Sequence, residues 1–178
     1  DPVRTEAKDI ITRLHKAGIT KICMLTGDTE SAAKRASDSL GIDTYVAQVL
    51  PEHKSDYVKK LKSEGCTVIM VGDGINDTPA LAAADVSVAM SDSSDIAREV
   101  ADITLGNRSL ADLVTLRVIS ERLMERISAN YRFIVAFNAS LIILGAAGVI
   151  PAGTSALLHN GSTMLIAAKS MTPLIRKK

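Results

Sequence analysis

From residue 133 to residue 168 the sequence runs for 36 residues without an Asp, Glu, Lys or Arg. As one helix rising about 1.5 Å per residue, that run would be about 54 Å long, well beyond a hydrocarbon core of about 30 Å. It must therefore fold back. The string Gly148-Val149-Ile150-Pro151-Ala152-Gly153 supplies the break, because proline removes a helix donor and glycine accepts turn dihedrals. Two membrane spans are expected, at 131–150 and 154–174. Arg126 and Arg132 precede the first, and Arg176, Lys177 and Lys178 follow the second, so both polar ends lie on one side of the bilayer. The positive-inside rule makes that side cytoplasmic. A buried helical hairpin within a large soluble protein is the other structure such a run can form.

Before residue 133 charged residues recur every few positions, and helical periods alternate with short β-rich runs. Ala7, Ile10, Ile11 and Leu14 give one apolar helix face over 6–16, ended by Gly18. Further helices are expected at 31–40, 54–62, 80–84 and 95–100, and strands at 19–25, 44–49, 67–71, 86–89 and 103–105. Strands separated by helices imply an α/β fold with a parallel sheet covered on both faces, in which ligands bind at the carboxyl ends of the strands. Over 109–130 an uninterrupted charged helical pattern leads directly into the first span, either a stiff connection or an ordinary solvated helix. Cys23 and Cys66 lie in apolar runs where cysteine behaves as a small buried hydrophobe, and they form no CxxC pair. A net charge of +1, with three Tyr, two Phe and no Trp, offers nothing for base stacking, and no nucleic-acid partner is expected. The chain opens on Asp1 without a leader pattern, so a piece of a longer protein is expected.

Three strings fall at the ends of expected strands or at a helix start. Thr26-Gly27-Asp28 places a hydroxyl, a glycine and free backbone donors before a helix, a seat for phosphate as well as a common turn. Gly72-Asp73-Gly74-Ile75-Asn76-Asp77-Thr78-Pro79-Ala80-Leu81 sets Asp73 and Asp77 four residues apart in a glycine-permitted loop, suited to a hard divalent cation such as magnesium. Its glycines let backbone approach an anion, and Asn76 donates to phosphate oxygen without adding negative charge. Between these strings, Pro51-Glu52-His53-Lys54 brings a lysine able to neutralise a transferring phosphoryl group.

In order and spacing these strings resemble the phosphorylation domain of P-type ATPases, a haloacid dehalogenase-like (Rossmann-like) fold. Thr26-Gly27-Asp28 is similar to that family's TGD, Lys54 to its conserved-motif lysine, and 72–81 to its GDGxNDxPAL; Asp1-Pro2-Val3-Arg4 looks like its DPxR segment. The long helix and the span pair resemble the heavy-metal branch. The resemblance implies a domain portion at 1–108, a connecting helix at 109–130 and a transmembrane hairpin at 131–178. It also implies that Asp73 holds magnesium with Asp77 in support, that Lys54, Thr26 and Asn76 contact the phosphoryl group, and that Asp28 serves the nucleotide side, with Gly27, Gly72 and Gly74 shaping the loops. ATP and Mg2+ are the implied cofactors, and the rest of the pump and a lipid bilayer the implied partners. The implied setting is a bacterial plasma membrane, crossed several times. The family's nucleophile string DKTGT does not occur, so this chain alone should form no aspartyl-phosphate.

Within the expected spans, His159 is the candidate ligand for a transported metal, because imidazole suits zinc, cobalt, nickel and copper; a packing role near the outer interface is the alternative. His159-Asn160-Gly161-Ser162-Thr163 is similar to a pattern in the last helix of pumps for divalent ions, which favours zinc, cadmium, cobalt or manganese over copper. Lys169 either snorkels to the headgroups or places a charge in the translocation path. Asn138, Ser140, Asn160, Ser162 and Thr163 suit helix-to-helix bonding, and Met164 and Met171 suit gap filling or lipid contact. Two other readings share these residues: a membrane-tethered phosphatase of the same superfamily, and a catalytically silent membrane partner of a chain that supplies the nucleophile.

Overall fold

The computed structural model describes residues 5–106 and 109–174. Asp1-Pro2-Val3-Arg4 and the basic residues Arg176, Lys177 and Lys178 lie outside the described residues. In chain order the elements are α1 (Thr5–Lys16), β1 (Cys23–Leu25), α2 (Glu30–Leu40), β2 (Thr44–Val46), α3 (Pro51–Ser63), β3 (Ile69–Gly72), a single 3-10 turn (Ile75–Asp77), α4 (Thr78–Ala83), β4 (Val86–Ala89), α5 (Asp95–Val100), β5 (Ile103–Thr104), α6 (Ala111–Ala146) and α7 (Ala152–Ser170). Every strand pair is parallel, as helix-separated strands require. The strands form two sheets, β1–β2 and β3–β4–β5, where the alternation implied one.

The strands are shorter than the apolar runs that contain them, because side chains or turns take the backbone groups at their ends. Ile22 donates its amide to Asp43 Oδ2 at 2.7 Å and Ile19 gives its carbonyl to His15 Nδ1 at 2.8 Å, so β1 starts only at Cys23. β2 stops at Val46 because Gln48 turns left-handed, with φ of 55°, which no strand residue can do. One device repeats at the amino ends of the strands. Asp43 before β2, Asp85 before β4 and Asp102 before β5 accept backbone amides of Ile22, Val68 and Ser87 in the neighbouring segment, at 2.7, 2.8 and 2.8 Å. Each carboxylate occupies an amide that the short ladder leaves open, at the opposite end from Thr26-Gly27-Asp28 and the loop at 72–77. The core sits on β4, where Val88 and Ala89 are fully enclosed, with Val58 of α3, Ala80 and Leu81 of α4 and Ala97 of α5.

The chain divides into two compact units, Asp1–Thr115 and Leu116–Lys178. In the second, α6 is one helix through the junction where a connecting helix was expected to meet a span. It ends where the sequence indicated. Gly148 adopts φ of 71°, its amide reaches the Gly145 carbonyl at 3.0 Å, and the Val149 amide reaches the Leu144 carbonyl at 2.9 Å, the paired closure of a glycine-terminated helix. Among the described residues α6 alone has a stretch long and apolar enough to cross a membrane. At 19 residues α7 is about 28 Å long, close to a bilayer core, but Ser155, His159, Asn160, Ser162 and Thr163 dilute its apolar character. It starts at Ala152 and ends at Ser170, inside the expected 154–174 at its carboxyl end and before it at its amino end.

The two helices of this unit are cross-linked by polar groups. Arg126 Nη1 donates to the carbonyls of Ser170 (3.1 Å) and Thr172 (2.6 Å), Arg122 Nη1 to that of Leu174 (3.0 Å), and Asn130 Nδ2 to Ser170 Oγ (3.1 Å). These arginines supply donors for carbonyls that a helix end leaves without intrahelical partners. Ile142, Ile143, Leu157, Met164 and Leu165 remain exposed, the surface that a lipid-facing helix presents.

Candidate functional site

The carboxyl end of β3 carries the sharpest motif, and its packing explains the residue types. An added Cβ on Gly72 would lie 2.8 Å from Asp77 Cβ and 3.2 Å from both Cγ and Oδ2. Only glycine lets the 3-10 turn bring Asp77 back over the strand end, where its amide bonds the Gly74 carbonyl at 3.1 Å. A second segment holds the loop from the far side: Ser94 donates its amide to the Asp73 carbonyl at 3.1 Å, and Ser93 Oγ donates to the Gly72 carbonyl at 3.3 Å. Ser93 is buried, and nothing in its local string Ser91-Asp92-Ser93-Ser94 separates it from an ordinary helix start.

Lys54, in the first turn of α3, sends Nζ to Asp77 Oδ1 at 2.6 Å, with side chains only 17% and 11% exposed. The lysine and the second carboxylate of the motif, 23 residues apart in sequence, are thus one charge-assisted pair. Asp73 and Asn76 are exposed on the same loop, and neither side chain has a hydrogen-bond or ion-pair partner among the described residues. Thr78 Oγ1 is buried without a partner beside them.

Thr26-Gly27-Asp28 forms a separate turn after β1. Thr26 Oγ1 donates to Asp28 Oδ2 at 2.9 Å and accepts the Asp28 amide at 3.1 Å. The loop after β2 grips it: the Gln48 amide bonds the Asp28 carbonyl, and the Val49 amide the Thr26 carbonyl, both at 3.0 Å. That loop runs straight into α3 and Lys54. A Cβ on Gly27 would approach Val49 O only to 3.8 Å, so space does not demand glycine there. The structure therefore gathers Gly72, Asp73, Gly74, Asn76, Asp77 and Lys54 at one place and Thr26, Gly27 and Asp28 at another strand end. No hydrogen bond joins the two groups among the described residues. The role of Gln48 is invisible in the sequence, because a left-handed glutamine has no local signature.

The cysteines are both free. Cys23 donates from Sγ to the Tyr57 hydroxyl at 3.5 Å, and that thiol, with burial, pushes the tyrosine up to about 12. Cys66 is exposed, against its expected burial: it follows Gly65 in the closure of α3, where its amide bonds the Leu61 carbonyl at 3.1 Å, and it precedes β3. On α7, His159 Nδ1 lies 2.9 Å from Asn138 Oδ1 on α6. Among the described residues no three His, Cys, Asp or Glu side chains cluster as a ready-made metal site.

Parallel strands whose carboxyl ends carry a glycine-cradled Asp73–Asp77 loop and its lysine define a haloacid dehalogenase-like domain, and the family model for haloacid dehalogenase-like hydrolases matches residues 1–85. The likeness extends through the helices. The chain is 43% identical to a zinc-exporting P-type ATPase of Mycobacterium marinum, over 96% of this chain and 23% of that protein. It is also 43% identical to a manganese-exporting P-type ATPase of Mycobacterium leprae, over 96% of this chain and 24% of that one. A crystal structure of a zinc-transporting PIB-type ATPase in its E2.Pi state superposes with a TM-score of 0.90 at 31% identity, covering 99% of this chain and 28% of that one. The chain belongs to the heavy-metal branch of the P-type ATPases. It spans about a quarter of the length of those relatives.

Proposed function

We propose that this chain is the magnesium- and phosphate-handling part, with the adjoining membrane hairpin, of a pump that exports a transition metal at the expense of ATP. The carrying observation is the Lys54–Asp77 pair at 2.6 Å beside the exposed, unpartnered Asp73 carboxylate. In this reading residues 1–108 are part of the phosphorylation domain, 109–130 connect it to the membrane, and 131–178 form the hairpin. The membrane is the bacterial plasma membrane, crossed several times by the whole protein, with the phosphorylation domain cytoplasmic.

The donor set suits magnesium, which takes one or two carboxylates and completes its shell with water and phosphate oxygen. Asp73 would hold the ion; Asp77, committed to Lys54, would support it from behind. Bound there, magnesium would supply neutralising charge to a transferring phosphoryl group. Asp77 fixes the Lys54 ammonium, which offers its remaining donors to phosphoryl oxygen. Asn76 presents an uncharged donor from the same loop, while Gly72 and Gly74 keep side chains out of its way. Thr26 contributes a hydroxyl whose direction Asp28 sets, and Gly27 exposes backbone beside it, on the side where ATP is bound.

The nucleophilic aspartate comes from the rest of the protein. β1 and β3 each pair on one side only among the described residues, and Ile69 of β3 is 44% exposed, which leaves open ladder and apolar surface for a further strand. For the cargo, relatives named for zinc and manganese favour a divalent ion, as does His159, held by Asn138 between the helices. Full-length protein should hydrolyse ATP on addition of zinc, manganese, cobalt or cadmium more than of copper. His159→Ala should raise the half-saturating metal concentration by about tenfold or more. An unaltered metal dependence would return His159 to a packing role.

A further inference from the structure

After Glu125 the sequence contains no acidic residue, yet it carries Arg126, Arg132, Lys169, Arg176, Lys177 and Lys178. No carboxylate side chain within residues 126–178 can therefore pair with any of these six cations. The structure shows where one of them is free to act. Arg122 and Arg126 have taken the carbonyls of Ser170, Thr172 and Leu174. The Lys169 ammonium, in the last turn of α7, is left with no hydrogen-bond or ion-pair partner among the described residues, Thr172 using only the carbonyl of that residue. It borders a groove of about 190 Å³ between α6 and α7, formed with Asn130, Phe133, Leu165 and Ile166.

The groove is amphiphilic. Lys169 and the Asn130 amide make one end polar, and Phe133, Leu165 and Ile166 make the other apolar. Phe133 stacks on Phe137, with ring centroids 5.5 Å apart and 9° between planes, which stiffens the apolar wall. A soluble anion would satisfy Lys169 and waste the apolar part; a neutral lipid would do the reverse. We propose that this groove binds an anionic phospholipid, its headgroup phosphate on Lys169 and the start of an acyl chain along Phe133, Leu165 and Ile166. Basic residues at the cytoplasmic face of a membrane helix attract anionic lipid, and here one of them is preset beside an apolar slot. The bound lipid ties the carboxyl end of α7 to α6 next to the arginine clamp, the point from which α6 continues toward the phosphate-handling unit.

The inference rests on placing α6 and α7 in a bilayer, and the two can fail separately. The 178-residue chain, delipidated in detergent and mixed with phosphatidylcholine and phosphatidylglycerol, is analysed by native mass spectrometry for retained lipid. Wild type should retain phosphatidylglycerol preferentially. Lys169→Gln should reduce that preference about fivefold, the effect of one basic residue at a membrane surface, whereas Arg132→Gln, outside the groove, should change it by less than about half as much. Lys169→Arg should keep it, which guards against a folding defect in the glutamine variant. Equal retention of the two lipids by wild type, equal losses in the Lys169 and Arg132 variants, or displacement of the lipid by inorganic phosphate would each overturn the proposal. Failure of the chain to enter phosphatidylcholine vesicles at all would instead overturn the membrane placement.

Discussion

Replacing Lys54 with Met removes the ammonium that faces Asp77 and leaves a carboxylate, 11% exposed, without its partner. Two unit charges just under 3 Å apart attract by about 6 kcal/mol at an effective dielectric near 20, and desolvation of both groups offsets much of that. What remains is a coupling of about 1–3 kcal/mol, the range found for contacting residues, while the unpaired carboxylate makes Lys54→Met alone cost about 3 kcal/mol. Asp77→Asn should cost less, because the 17% exposed lysine has a flexible stem that can carry its charge to water. The double variant should therefore lose less than the sum of the singles. Hydrogen exchange of peptides covering 69–83 measures this locally: Lys54→Met should accelerate exchange there about 100-fold, and adding Asp77→Asn should slow it again. Additivity within about 0.5 kcal/mol would show that the two side chains meet without energetic coupling, and the organisation proposed for the site would fall with it.

Gly72→Ala should cost about 1–3 kcal/mol and shift Asp77 off Lys54, since its new Cβ would sit 2.8 Å from that of Asp77; unchanged stability by urea unfolding would refute the cradle. Acid should loosen the strand ends. The Val68 amide, then Lys62, hold Asp85 below its usual value, and the Ser87 amide, then the Ser87 hydroxyl, do the same for Asp102. Carboxyls lowered in the folded state stabilise it above their unfolded value near 3.9, and that contribution disappears as pH falls through the folded value. Unfolding midpoints should accordingly drop below about pH 4, and Asp85→Asn with Asp102→Asn should flatten the drop. An equally steep drop in the double variant would assign the acid sensitivity elsewhere. Gln48→Val should weaken the turn at 26–28, because a β-branched residue resists φ of 55°; equal exchange of the Asp28 amide in both proteins would refute that role.

Much of this was legible in the sequence because it is periodic or punctuated. The helix at 95–100 and the strand at 86–89 fall where the pattern puts them, and Gly18, Gly41 and Gly148 close helices in left-handed geometry. The family and the parallel α/β class followed from 72–81 together with Lys54 and Thr26. Strand lengths did not, because Ile19 and Ile22 look like strand residues, and a local bond to His15 for the first and a long-range bond to Asp43 for the second take their backbone groups. The break between β1–β2 and β3–β4–β5 was equally hidden, since no local pattern tells which strands are neighbours. Cys66 reads as part of an apolar run, yet the glycine closure before it turns it to solvent. The Lys54–Asp77 pair lies between: spacing named both residues, and only the fold shows that they touch.

On the function proposed above, these residues serve transfer of phosphate from ATP to an aspartate elsewhere in the pump. Full-length protein incubated with γ-labelled ATP and magnesium, then quenched in acid, should carry label that hydroxylamine removes, the behaviour of an acyl phosphate. Asp73→Asn should abolish that label while leaving the fold intact by circular dichroism. Undiminished, hydroxylamine-sensitive label in Asp73→Asn would contradict the assignment of this loop as the magnesium and phosphate site.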